Sequence, residues 1–200
     1  MLITFEGIDG SGKTTQLRLL KEYLEERGRK VIAIREPGGT VFSENIRELL
    51  LYSEENISPR AELLLFESAR AHLVETLIKP AIEEGSIVLC DRFYDSTMAY
   101  QGYGRGIPLE EVKSCNMTAT GGLVPTLTFY LKLDLDESRQ RAKYRQHDRI
   151  EQSGNDFFER VIEGFAKIAE AEPRRIIVID ASGSIGATSI AIRNHVKRIL

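Results

Sequence analysis

Five short apolar runs rich in β-branched residues punctuate the chain, at 2–6, 30–35, 86–91, 126–133 and 175–180. Each is close to continuously apolar, the signature of a strand covered on both faces in a parallel sheet. Between them lie stretches with helical periodicity, at 14–27, 42–51, 61–84, 109–119, 136–144, 156–170 and 189–200. Strand and helix therefore alternate, which predicts a doubly wound α/β sheet. The segment "DRFYDSTMAYQG", 91–102, carries neither pattern and is expected to be a polar, aromatic-rich loop. No repeat, low-complexity tract or linker divides the chain, so one domain over 1–200 is expected.

Composition narrows the class. The chain has 200 residues, 42% of them hydrophobic, enough for one sizeable core. Its formal net charge of −3 gives no electrostatic reason to bind nucleic acid or an anionic membrane. The longest apolar runs, such as "IIVI" at 176–179, are far too short to span a bilayer. No leader of the secretory kind is evident, and a cytoplasmic location is expected. Cys90 and Cys115 alone make neither a disulfide framework nor a zinc site.

Chemistry enters at "GIDGSGKT", 7–14, which matches G-x-x-x-x-G-K-[ST] directly after a strand and at the start of a helix. The glycines allow Gly7, Ile8, Asp9, Gly10, Ser11 and Gly12 to curl their N–H groups around a phosphate. The helix that follows adds its positive dipole end. Lys13 would reach the β- and γ-phosphates, and the Thr14 hydroxyl would serve Mg²⁺. A turn serving only to join strand to helix needs neither residue. Asp9 is out of place in an anion cradle. It either points away as a cap or acts on metal or a second ligand, and it lies early for a cap.

A phosphate loop alone does not separate a kinase from a switch GTPase or a transport ATPase. No N-K-x-D guanine reader is present, and "DASG" at 180–183 follows the last strand, the wrong place for a switch motif. The remaining clusters point to a second pocket. "REPGGT", 35–40, and "DRFYDSTMAYQG" both stand at carboxyl ends of strands, where open α/β sheets bind ligands. "FESAR", 66–70, sets Phe66 and Arg70 one helical turn apart. An aromatic plane beside a guanidinium suits a stacked base, although spacing alone favours core packing for Phe66. Arg70 is harder to assign to packing, because arginine is rarely buried without a partner. The basic segment 139–149, with Arg139, Arg141, Lys143, Arg145 and Arg149, reads either as a solvated helix end or as a lid over an anionic ligand.

Taken together, "EGIDGSGKTT", "REPGGT", "DRFYDSTMAYQG" and "DRIEQ" at 148–152 resemble the thymidylate kinases, from residue 2 through the final helix. The resemblance implies the P-loop nucleoside monophosphate kinase fold, a five-stranded parallel sheet flanked by helices, with a short basic lid at about 141–153. It implies transfer of the γ-phosphoryl of ATP to dTMP, dependent on Mg²⁺, in a homodimer joined by helices of the first half. Lys13 and Thr14 would then serve ATP and the metal, with Asp91 holding the metal through water. Asp9 would face the acceptor side. Arg47 and Arg92 would hold the acceptor phosphate, and Phe66 would stack the thymine. Arg70 would donate to its O4, Thr97 and Gln101 would meet its polar edge, and Tyr100 would pack where a ribose 2′-hydroxyl would lie. Glu36 and Pro37 belong to the same site. The phosphate loop holds Gly10 where some members carry an arginine, so catalytic positive charge is expected from the lid. Arg145 is the first candidate and Arg149 the second, with Arg141 on the adenine.

Overall fold

The computed structural model describes residues 1–143 and 148–200. Five parallel strands, β1 (Leu2–Glu6), β2 (Val31–Arg35), β3 (Ile87–Asp91), β4 (Leu127–Lys132) and β5 (Ile176–Asp180), form a sheet in the order β2-β3-β1-β4-β5. Each matches one apolar run of the sequence, β1 in full and the other four trimmed by one or two residues. β1 lies at the centre and is buried along its whole length. Its register sets Thr4 beside Cys90 on β3 and Thr128 on β4.

The helices are α1 (Lys13–Glu25), α2 (Val41–Tyr52), α3 (Pro59–Leu73), α4 (Lys79–Glu83), α5 (Tyr94–Thr97), α6 (Leu109–Thr120), α7 (Leu135–Ala142), α8 (Asn155–Ala171) and α9 (Ile185–Val196). On one face of the sheet Leu17 and Leu20 of α1 and Ile192 and Val196 of α9 pack against Ile3, Phe5, Leu89 and Phe129. On the other, Leu73 and Ile78 meet Leu2, Val88 and Phe93. Tyr130 of β4 stacks on Phe165 of α8, ring centroids 5.1 Å apart.

One sequence expectation is refined and one corrected. The helix expected over 61–84 is present and runs unbroken from Pro59 to Glu83, but α3 widens into a π-helical turn at Val74–Ile78 before α4 begins. Pro80 explains the position, since its ring would crowd the carbonyl four residues earlier, that of Thr76, in a regular helix. The expected loop 91–102 is instead mostly helical, α5 running into a π-helical stretch at Met98–Gly104. Most of this segment is buried on its polar as well as its apolar side, which removes the one-sided periodicity that marks a surface helix.

A polar column crosses the core beneath that segment. Arg175 donates to both carboxylate oxygens of Asp95 at 2.7 and 2.8 Å and to Thr128 Oγ1 at 2.8 Å. Glu6 accepts from the Phe93 N–H at 2.7 Å and pairs with the Ser96 hydroxyl. Burial, with Asp95 nearby, pushes the Glu6 carboxyl up to about 8. The column pins α5 to the central strand from below.

Candidate active site

The phosphate loop joins β1 to α1. Gly7, Gly10 and Gly12 have φ of 135°, 77° and 90°, values open to glycine and strained for other residues. A Cβ on Gly7 would stand 2.6 Å from the Leu131 carbonyl oxygen, and one on Gly10 2.9 Å from that of Ser138. The loop is thus pressed between β4 and α7, which leaves no room for an arginine at position 10 without moving α7. Gly12 starts α1 with no side-chain cap, so its first N–H groups stay available to an anion.

Lys13 is 6% exposed and donates to the Ile8 carbonyl oxygen at 3.0 Å. Burial, aided by Arg92, lowers its pKa to about 8. Thr14 Oγ1 donates to Asp91 Oδ2 at 2.5 Å, joining the start of α1 to the end of β3. This pair of hard oxygen donors beside an anion cradle fits Mg²⁺, which takes few protein ligands and shares the rest with phosphates and water.

Asp9 does not cap α1. Its Oδ1 accepts from Arg92 Nη2 at 2.9 Å and lies 3.9 Å from Lys13 Nζ. Arg92 follows β3 with φ of 69°, the one non-glycine residue at positive φ among those described. Its Nη1 donates to the Gly7 carbonyl oxygen at 2.8 Å and to Ser96 Oγ at 3.2 Å, and its Nη2 reaches Tyr100 Oη at 3.3 Å. Backbone strain of this kind persists where surrounding contacts over-determine it, and here four of them do.

Asp9 and Arg92 stand where two clefts meet. The first is lined by Glu36, Pro37, Arg47, Phe66, Arg70, Thr97, Tyr100 and Gln101. Every acceptor residue implied by the sequence is therefore in one cavity. Phe66 is half-buried, and Arg70 is 2% exposed at the cleft wall. Arg70 Nε donates to Glu36 at 2.8 Å, and its Nη1 donates to Glu67 at 2.5 Å and to Asn116 at 3.1 Å. Burial raises the Glu36 carboxyl to about 7 against the opposing pull of Arg70. Arg47 Nη1 donates to the Pro37 carbonyl oxygen at 3.1 Å, which fixes its head at the rim.

The second cleft is electropositive. Lys13, Arg35, Arg47, Arg92 and Arg141 line it against three carboxylates, Asp9, Glu36 and Asp91. On its far side Arg141 bridges the Gly10 carbonyl oxygen at 3.2 Å and that of Ala181 at 2.9 Å. Beyond it a hollow is walled by Gln16, Arg141, Ala181, Gly183, Ser184 and Ile185. The turn after β5, set aside in sequence as a misplaced switch motif, therefore walls the far side of the phosphate loop. Its contribution is mostly backbone and small side chains, which carry little signal in a sequence.

The two lid candidates fare differently. Arg145 lies outside the described residues. Arg149 stands away from the phosphate loop: its Nε donates to the Leu50 carbonyl oxygen at 2.9 Å and its Nη2 to Glu62 at 2.6 Å. Glu62, which sequence reasoning passed over, gathers Gln101, Arg105 and Arg149 around one buried carboxylate. An acid in the first turn of a helix reads as a dipole partner facing solvent, so nothing in the sequence singled it out.

The family model described as Thymidylate kinase matches residues 5–192. A protein named thymidylate kinase from Chlorobaculum tepidum is 52% identical over 191 residues, covering 90% of this chain and 89% of its own. One of the same name from a Thermoanaerobacter species is 46% identical over 198 residues, with 99% and 98% covered. A crystal structure of thymidylate kinase from Ehrlichia chaffeensis superposes with a TM-score of 0.83 at 37% identity, covering 98% of each chain.

Proposed function

This chain belongs to the thymidylate kinase family, and from that premise we propose how its residues carry out the transfer of the ATP γ-phosphoryl to dTMP. The observation that carries the reading is the junction at Asp9 and Arg92, where a phosphate loop and an acceptor cleft open onto each other. Phosphoryl transfer asks chiefly for alignment and charge neutralisation. An oxygen of the dTMP 5′-phosphate attacks the γ-phosphorus, the bond to the β–γ bridging oxygen breaks, and ADP leaves with that electron pair. The acceptor phosphate is already ionised at neutral pH, so no general base is required.

Lys13 and the loop N–H groups hold the β- and γ-phosphates, and Arg141 flanks the adenine. Arg92 and Arg47 hold the dTMP phosphate. Asp9 and the Gly7 carbonyl oxygen tie the Arg92 guanidinium to the edge of the phosphate loop, at the junction of the two clefts where the two phosphates meet. Phe66 stacks the base, Arg70 and Gln101 read its edge beside Thr97, and Tyr100 fills the space next to the sugar. Mg²⁺ would be held by Thr14, with Asp91 acting through water, and would supply charge neutralisation of the polyphosphate. The segment 141–153 acts as a lid that excludes water and brings an arginine, Arg145 foremost, to the reacting phosphoryl.

The chain acts as one domain over 1–200, in the cytoplasm. No helix among the described residues is long and apolar enough to cross a membrane. α2 and α3 expose Val41 at 82% and Leu64 at 60%, and α6 exposes Met117 at 63%. The exposed apolar side chains of α2 and α3, helices of the first half, support a homodimer joined through them.

ADP release measured with dTMP, dUMP, dCMP and dAMP as acceptors tests the assignment. The expected result is a rate that depends on acceptor and is highest for dTMP. Turnover independent of acceptor would overturn it.

A further inference from the structure

We propose that Glu62, which does not line the acceptor cleft, fixes which atom of the Gln101 amide meets the base and so sets the choice between pyrimidines. The inference rests on the reading of that cleft as a dTMP site. The Glu62 side chain is 1% exposed and lies in the first turn of α3. Gln101 donates to its Oε1 at 2.8 Å, Arg105 donates to Oε1 and Oε2 at 3.0 and 3.1 Å, and Arg149 donates to Oε2 at 2.6 Å. Burial alone would raise the carboxyl, but hydrogen bonds from Arg105, Gln101 and Arg149 outweigh it and hold the group below its ordinary range.

An ionised carboxylate accepts and never donates. The Gln101 atom facing Glu62 must therefore be the amide nitrogen. What remains to that side chain is Oε1, which accepts no hydrogen bond among the described residues, and Gln101 lines the acceptor cleft. Arg70 supplies the complement. Its Nε and Nη1 are taken by Glu36, Glu67 and Asn116, which leaves Nη2 as the donor without a partner among those residues.

Toward the base, Arg70 and Gln101 therefore offer one donor and one acceptor between them. Thymine and uracil carry the O4 acceptor beside the N3–H donor, and both pair. Cytosine carries an amino donor at C4 and a bare N3, so both contacts become like against like. Turning the Gln101 amide over would suit cytosine at N3. That turn would set Oε1 against an ionised carboxylate, and Glu62 forbids it. Glu62 is thus a positioning residue that acts through Gln101.

The test compares kcat/KM for dTMP and dCMP, at saturating ATP, in the wild type, Glu62→Gln, Gln101→Leu and the double variant. The amide that Glu62→Gln introduces can donate to a turned Gln101, so this substitution should narrow the dTMP:dCMP ratio by about tenfold or more while the KM for ATP stays put. In the Gln101→Leu background no amide is left to turn, and Glu62→Gln should leave the ratio unchanged. A structural role would lower both acceptors by one factor, and a ratio unmoved by Glu62→Gln overturns the proposal. Should that variant not fold, Glu62→Ala takes its place in the same comparison: with no carboxylate to hold the Gln101 amide, a narrowed ratio supports the proposal and an unaltered one rejects it. A wild type that phosphorylates neither pyrimidine would instead overturn the acceptor-site reading beneath it.

Discussion

At the scale of single residues, the site is a set of charges held in states that a ligand completes. Lys13 makes the clearest case. Its free pKa of about 8 must rise when a polyphosphate sits on it, because the charged form gains the new anions. The sign follows: below pH 8 the free enzyme already carries the proton and ATP binding is at full strength. Above pH 8 binding must recruit a proton, and affinity falls by up to tenfold per unit, while the nucleotide phosphates stay fully ionised. Calorimetric titration with ATP between pH 7 and 10 should show that decline, and Lys13→Arg, charged throughout, should abolish it. A flat profile in the wild type would show that Lys13 does not carry the polyphosphate charge. Arg70 gives a second prediction. Arg70→Ala should weaken dTMP by about 1.5–3 kcal/mol, the loss of a charged hydrogen bond to a buried carbonyl, with little change for ATP. Equal losses for both substrates in steady-state kinetics would make Arg70 a residue of the fold. The placement of these residues was partly legible beforehand, since Lys13 and Thr14 stand in a local motif whose geometry is the sequence. Glu62 was not, because its meaning depends on partners 39, 43 and 87 positions away.

Elements tell the same story with different physics. The strands were readable because burial on both faces leaves a continuous apolar run, as "IVLCD" does in β3. The helical stretch 94–104 escaped detection because it is walled by the core on one side and by the site on the other. Thr97, Gln101 and Tyr100 serve the cleft from a segment that neither side exposes. α7 shows what an element can transmit. Ser138 Oγ donates to the Asp9 carbonyl oxygen at 2.7 Å, so the helix leading into the lid rests on the phosphate loop itself. A lid arginine that arrives only with the transition state should act on rate. Arg145→Ala is expected to lower kcat by on the order of 10³-fold and leave the Kd for dTMP nearly unchanged. An unaltered kcat, measured by single turnover, would show that the lid is a cover and that the phosphate loop neutralises the phosphoryl alone.

For the whole molecule, the apolar side chains that α2 and α3 expose predict a change of mass. Leu64→Glu, which sets a charge among them, should convert a dimer to monomers at micromolar concentration in sedimentation equilibrium. A wild type that sediments as a monomer would remove the dimer from the proposal. The strand order has a consequence of another kind, in how the chain is made. β1 is the first strand to leave the ribosome and the one that waits longest for both its neighbours. Its neighbours are β3, which begins at residue 87, and β4, which begins at residue 127. No strand can pair with this apolar segment until more than a third of the chain has followed it, and its second edge stays open until well past half. Synthesis at about 5–20 residues per second leaves that edge unguarded for seconds, so the centre of the finished enzyme is the part of the nascent chain most in need of a chaperone.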